Sequence, residues 1–173
     1  MKKQMGFGFE SYKGILERFL ELLMEAFGDS LVSLVLYGSV ARGNAKADSD
    51  IDLLLILREP PKNYHRRLDQ VLGVQSDLKR EEVYRRVRER LKIEPFLSHI
   101  ILSKKEADEN RYIYLDMADD AKILYDRDDF FAKRLEAIKK RLRELRSKRV
   151  WLEDGTWYWD LKPDLKPGEV FTL

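Results

Sequence analysis

Apolar residues recur at helical spacing near the start of the chain, where Ile15, Leu16, Phe19, Leu20, Leu23 and Phe27 fall on one face. Gly28 follows as a C-terminal stop, so the pattern predicts a helix over Ile15–Phe27. Leu31–Tyr37 is short, apolar and contains β-branched residues, which predicts a buried strand closed by Gly38, with a short helix beginning at Ser39. The polar stretch Asn44–Ser49 leads into a second buried strand, Ile51–Leu57, ended by Pro60 and Pro61. Two charged helices over Tyr64–Leu72 and Leu78–Leu91 come next, then a third strand over Ile93–Leu102. Ser103 and Glu106 have capping-box spacing, which predicts a helix to about Met117, and Ala121–Tyr125 reads as a short strand. This alternation predicts an α/β (α+β) fold with one sheet covered by helices.

The last third changes character. Residues 104–129 carry five basic and nine acidic side chains, whereas residues 130–150 carry nine basic and two acidic ones. Leu135, Ile138, Leu142, Leu145 and Leu152 follow a three–four spacing, predicting an amphipathic helix with a basic flank. Core or dimer packing accounts for that stripe; a docking surface for an acidic partner or RNA is the sharper alternative. The tail from Gly155 is broken by Pro163 and Pro167 and holds Trp157, Tyr158 and Trp159, so it should be extended or turned. Its aromatic rings should anchor it onto the domain or a partner.

Composition narrows the function classes. The 173 residues favour one domain, and 44% hydrophobic content suffices for a core. Basic and acidic residues nearly cancel to +2, so no net field points to nucleic acid or membrane. The absence of cysteine removes disulfides, thiol catalysis and cysteine-ligated zinc. No apolar run approaches a spanning length, and Met1–Glu10 has no apolar core for a signal peptide, so a soluble, cytoplasmic protein is expected.

The candidate chemistry lies in Gly38–Asp52. A glycine lets a backbone approach closely, and a helix starting at Ser39 would aim unpaired N–H groups at an anion. Gly-Ser also serves merely as a cap at many such turns. Asp50 and Asp52 are two apart on a strand, so they share a side while Ile51 and Leu53 face the core. Adjacent carboxylates repel unless a cation sits between them, and oxygen ligands without His or Cys select Mg²⁺ or Mn²⁺. Two aspartates at an exposed strand start would give the same spacing. Taken together, phosphate donors and a metal pair suit in-line attack on a nucleotide α-phosphorus.

Gly38-Ser-Val-Ala-Arg-Gly43, six further residues and Asp50-Ile-Asp52 resemble the signature of the minimal nucleotidyltransferases, within the DNA polymerase beta and kanamycin nucleotidyltransferase superfamily. The resemblance implies a mixed sheet of about four strands with helices packed on one side. It implies a catalytic unit over 11–126 and an extension of it over 129–173. It also implies Mg²⁺- or Mn²⁺-dependent transfer of a nucleoside monophosphate, AMP from ATP, onto a hydroxyl. Gly38, Ser39, Arg42 and Ser49 are its candidate nucleotide-binding positions, and Asp50 and Asp52 its metal ligands. The third carboxylate should lie on the next strand, where Glu94 is the acidic residue; aligning backward from Leu102-Ser103 puts Ser98 there instead. The implied partners are a nucleoside triphosphate and a HEPN-domain protein modified on tyrosine as a toxin by its antitoxin. A second copy of the chain is a further candidate partner; membrane and nucleic acid are not expected. The rival reading is a catalytically weak binding module that neutralises its partner by contact. His99, alternating with apolar neighbours, reads as a satisfied, partly buried residue, and His65 as solvated.

Overall fold

A computed structural model describes residues 7–153 and 156–172. The reading of Met1–Gly6 and the tail's start at Gly155 lie outside them. In chain order the elements are α1 (Phe9–Phe27), β1 (Leu31–Tyr37), α2 (Gly38–Arg42), β2 (Ile51–Leu57), α3 (Tyr64–Arg80), α4 (Glu82–Leu91) and β3 (Leu97–Ser103). They continue with α5 (Lys104–Ala107), α6 (Ile113–Asp120), β4 (Lys122–Asp126), α7 (Phe130–Glu144), β5 (Lys148–Trp151) and β6 (Trp157–Asp160).

Four strands form a mixed sheet in the order β3-β2-β1-β4, with β1 antiparallel to both β2 and β4 and β2 parallel to β3. Every residue of β1 is buried, as is all of β2 except Asp52, so both faces of the central pair need cover. On one face Leu34, Leu36, Leu53 and Leu55 pack with α1, α3 and α4. On the other, Val35, Leu54 and Ile56 pack with Tyr114 and Met117 of α6 and with Phe131 and Leu135 of α7. The helices therefore lie on both sides, a correction to the one-sided expectation.

Other departures have local causes. Tyr12 is buried beside Ile15 and Leu16, so α1 starts six residues earlier than its most regular stripe. Val71, Val74 and Leu78 form one continuous buried row, which carries α3 through Gly73 to Arg80 where a break was expected. β3 starts at Leu97 because Lys92 turns the chain at φ 56° and the Tyr84 hydroxyl donates to Pro95 O at 2.7 Å. The capping box at Ser103 and Glu106 is formed, but its helix stops at Ala107 and a second begins at Ile113. Arg67, buried in α3, donates to Glu106 at 2.6 Å and ties α3 to that cap; its hydrogen bond holds Glu106 well below the usual carboxylate range, at about 2.

The C-terminal stripe is helical only as far as Glu144. Phe131, Leu135, Leu142 and Leu145 are buried, whereas Arg146 takes φ 55° and redirects the chain. β5 and β6 then form an antiparallel hairpin, with Leu152 half exposed in the loop beyond β5. The hairpin corrects the helix expected to run on to Leu152, whereas the tail expected to be extended or turned is extended over β6. Among the described residues no helix is long and apolar enough to cross a membrane.

Candidate active site

β1 ends where the chain must turn, and Gly38 makes the turn at φ 73°. A Cβ built at Gly38 would overlap the Asp52 carboxylate, so the missing side chain also makes room for Asp52. Gly43 closes α2 at φ 79° with nothing near its would-be Cβ, so conformation alone demands glycine there. Ala45 is then pinned by paired backbone hydrogen bonds to Phe7, at 2.8 and 3.1 Å.

The sheet register sets the centre. Asp52 stands opposite Tyr37 on β1 and Ser98 on β3, so the three share a face. Ile51 and Leu53 are fully buried on the opposite face, while Asp50 is exposed just before the strand and Asp52 is half-buried. Burial raises the Asp52 carboxyl above its ordinary range, Asp50's negative charge raises it further, and Arg42 opposes both. Burial, joined by the charge of Asp52, also pushes the Tyr37 phenol up.

That electrostatic stress answers whether a cation fits. Two carboxylates that penalise one another, with no soft or nitrogen ligand beside them, suit one hard divalent cation. Asp50 and Asp52 would hold it. Among the described residues no group of three or more His, Cys, Asp or Glu could hold a metal, so a third carboxylate does not join them.

Glu94 is the acidic residue expected on the third strand, and the fold puts it elsewhere. It lies in the loop before β3, exposed, within 2.8 Å of the Tyr84 hydroxyl and 3.7 Å from Arg88. Tyr84 holds this loop against α4, and the position facing Asp52 falls to Ser98. Ser49 closes a turn: its hydroxyl accepts from the Lys46 N–H at 2.9 Å. Ser39 and Arg42 lie on α2 between β1 and the aspartates, together with Gly38. His99 stacks on Phe19 at 5.5 Å and its Nε2 pairs with Gln75 at 2.7 Å; burial lowers it to about 4, as befits a packed neutral imidazole.

Sequence reasoning missed two neighbours of the motif. Tyr37 was read only as a strand end, although the residue before the glycine turn must stand beside the second strand's start. The Trp157 ring lies 4.6 Å from the Arg42 guanidinium carbon, a pairing that depends on the unforeseen hairpin. A cavity of about 570 Å³ between α6, α7 and the tail, lined by Arg111, Tyr112, Leu115, Arg134, Ile138 and Phe171, includes none of the motif residues.

Residues 16–115 match the nucleotidyltransferase domain family. The chain belongs to that family of transferases, whose substrate class is nucleoside triphosphates. A candidate protein adenylyltransferase of Methanocaldococcus jannaschii is 37% identical over 133 residues, 76% of this chain and 84% of that protein. Among solved structures, a candidate nucleotidyltransferase of Sulfolobus solfataricus is 21% identical with a TM-score of 0.43, covering 69% of this chain and 86% of the other. A chain from a complex of a tri-AMPylated HEPN toxin with an MNT antitoxin, from Shewanella oneidensis, is 13% identical with a TM-score of 0.41, covering 78% and 91%.

Proposed function

We propose that this protein transfers AMP from ATP onto a protein hydroxyl, with Asp50 and Asp52 holding one Mg²⁺ or Mn²⁺. The observation that carries the reading is the crowding of Asp52: a half-buried carboxylate set against Gly38, beside Asp50 and raised by burial and by its neighbour's charge. The relative named as a protein adenylyltransferase supports AMP as the group moved and protein as the acceptor. In the step, the acceptor oxygen bonds to the α-phosphorus and the bond from that phosphorus to the bridging oxygen breaks. Pyrophosphate leaves with the bond's electron pair, and the hydroxyl proton passes to solvent. Gly38 and Ser39 approach the triphosphate, and Arg42 offers it positive charge. The cation, when bound, offsets phosphate charge and lowers the pKa of the hydroxyl. A tyrosine on a HEPN-type protein is the acceptor the motif resemblance favours, in the cytoplasm, as an antitoxin acts on its toxin.

One observation favours the second reading, a module that binds nucleotide and partner with weak turnover. Glu94 is engaged by Tyr84 and Arg88, so among the described residues the carboxylate pair has no third member. Transfer of α-phosphate label from ATP to a HEPN-type protein, with pyrophosphate release, tests the first reading. Label should appear only with Mg²⁺ or Mn²⁺. Glu94→Gln should leave the rate nearly unchanged, because its carboxylate serves the Tyr84 loop. A collapse of turnover in Glu94→Gln would return that residue to the site, and no label at all would favour the binding module.

A further inference from the structure

The β5–β6 hairpin lies beyond the residues that match the family, yet it reaches the motif. Its inner rings are held by α6. The indole N–H groups of Trp157 and Trp159 both donate to Asp116 Oδ1, at 3.3 and 3.2 Å. Arg149 pairs with Asp120 at 2.9 Å and Asp119 at 3.4 Å, and its guanidinium carbon lies 5.2 Å from the centroids of both rings. Trp151 packs on Trp157 with centroids 5.0 Å apart. Asp116 in the first turn of α6, and Asp119 and Asp120 at its end through Arg149, therefore fix Trp157, and Arg42 rests on that ring at 4.6 Å.

A guanidinium lying over an aromatic face is oriented through the ring quadrupole without using its N–H groups. Arg42 fits this description: its Nε is buried and has no hydrogen-bond partner among the described residues. The last residue of α2 is thus oriented by contact: its charge acts on the Asp52 carboxylate, and its Nε has no acceptor among the described residues. Anionic oxygens are what a guanidinium in that condition takes best.

We infer that Trp157 is a positioning residue that holds Arg42 for an oxygen of a bound nucleoside triphosphate, the hairpin being this chain's own support for the motif. The inference rests on the nucleotidyltransferase reading for its ligand, and on the stack alone for its geometry. Trp159 supplies a control, because it shares the Asp116 bond and the Arg149 contact, while among the described residues the cation–π contact of Arg42 is with Trp157.

The test compares Trp157→Ala, Trp157→Phe and Trp159→Ala in the full chain. One readout is the ¹⁵N–¹H resonance of Arg42 Nε, assigned by its disappearance in Arg42→Lys; the other is ATP affinity by calorimetry with Mg²⁺. Trp157→Ala should move the resonance and weaken ATP by about tenfold, the scale of one partly desolvated cation–π contact. Trp157→Phe should recover most of both, and Trp159→Ala should leave both near the unmutated values. Unchanged affinity in Trp157→Ala overturns the inference whether or not the resonance moves, as does an equal loss in Trp159→Ala. No ATP binding by the unmutated protein would overturn the nucleotidyltransferase reading and the triphosphate with it. Unchanged binding in Trp157→Ala overturns the positioning role alone.

Discussion

Replacing Asp50 and Asp52 together by asparagine should reduce nucleotidyl transfer by about a thousandfold or more while leaving the melting temperature unchanged or higher. The loss follows from removing both oxygen ligands proposed for the cation, since among the described residues no group of three or more His, Cys, Asp or Glu could hold it instead. The stability gain follows from the same geometry. Asp52 is half-buried and raised by desolvation and by Asp50, so its ionised form is less stable in the fold than in the unfolded chain. Asparagine keeps the shape and removes that cost. Thermal melts and transfer assays on the double variant check both halves. A variant that melts markedly lower would show that the carboxylates support the fold, and one that still turns over would move the chemistry elsewhere.

Gly38→Ala should destabilise the protein by about 2–4 kcal/mol and weaken nucleotide binding, whereas Gly43→Ala should cost about 1–2 kcal/mol and leave binding in place. Both glycines hold positive φ, at 73° and 79°, so both substitutions force a side chain into the left-handed region. The difference lies in the surroundings. Alanine at position 38 drives its methyl into the Asp52 carboxylate, so either the turn or the aspartate must move; at position 43 nothing lies within 4 Å. Urea unfolding gives the two costs, and ATP titration separates displacement of Asp52 from simple strain. Equal costs at the two sites would contradict the close approach of Gly38 to Asp52.

The parts of this fold that were legible in the sequence are those set by local pattern. Leu31–Tyr37 and Ile51–Leu57 are strands with the predicted bounds because each is an apolar run closed by a turn that only glycine or polar residues make comfortably. The spacing of Asp50 and Asp52 is also local, although only Asp52 lies in β2 and Asp50 just precedes it. What was not legible depends on distant contacts. Nothing local reveals that Tyr84 holds Pro95, so Glu94 looked like a strand residue, and only the register of β3 on β2 puts Ser98 opposite Asp52. The leucine spacing continues through Leu152 as though helical, but Arg146 turns at φ 55° and the Trp157 and Trp159 indoles find Asp116 on α6. An alternation of Trp157 and Trp159 about Tyr158 was a strand signal. The tail was accordingly read as extended or turned, but its pairing with β5 was not legible.

The central claim is that Asp50 and Asp52 form a divalent-cation site for a nucleoside triphosphate. Isothermal titration of the full chain with ATP, in Mg²⁺ and again with the metal chelated, tests it most directly. The account predicts saturable binding with Mg²⁺ that weakens by at least about tenfold on chelation, since each ligated cation contributes charge stabilisation of more than 1 kcal/mol. Binding of equal affinity with and without the metal would contradict it.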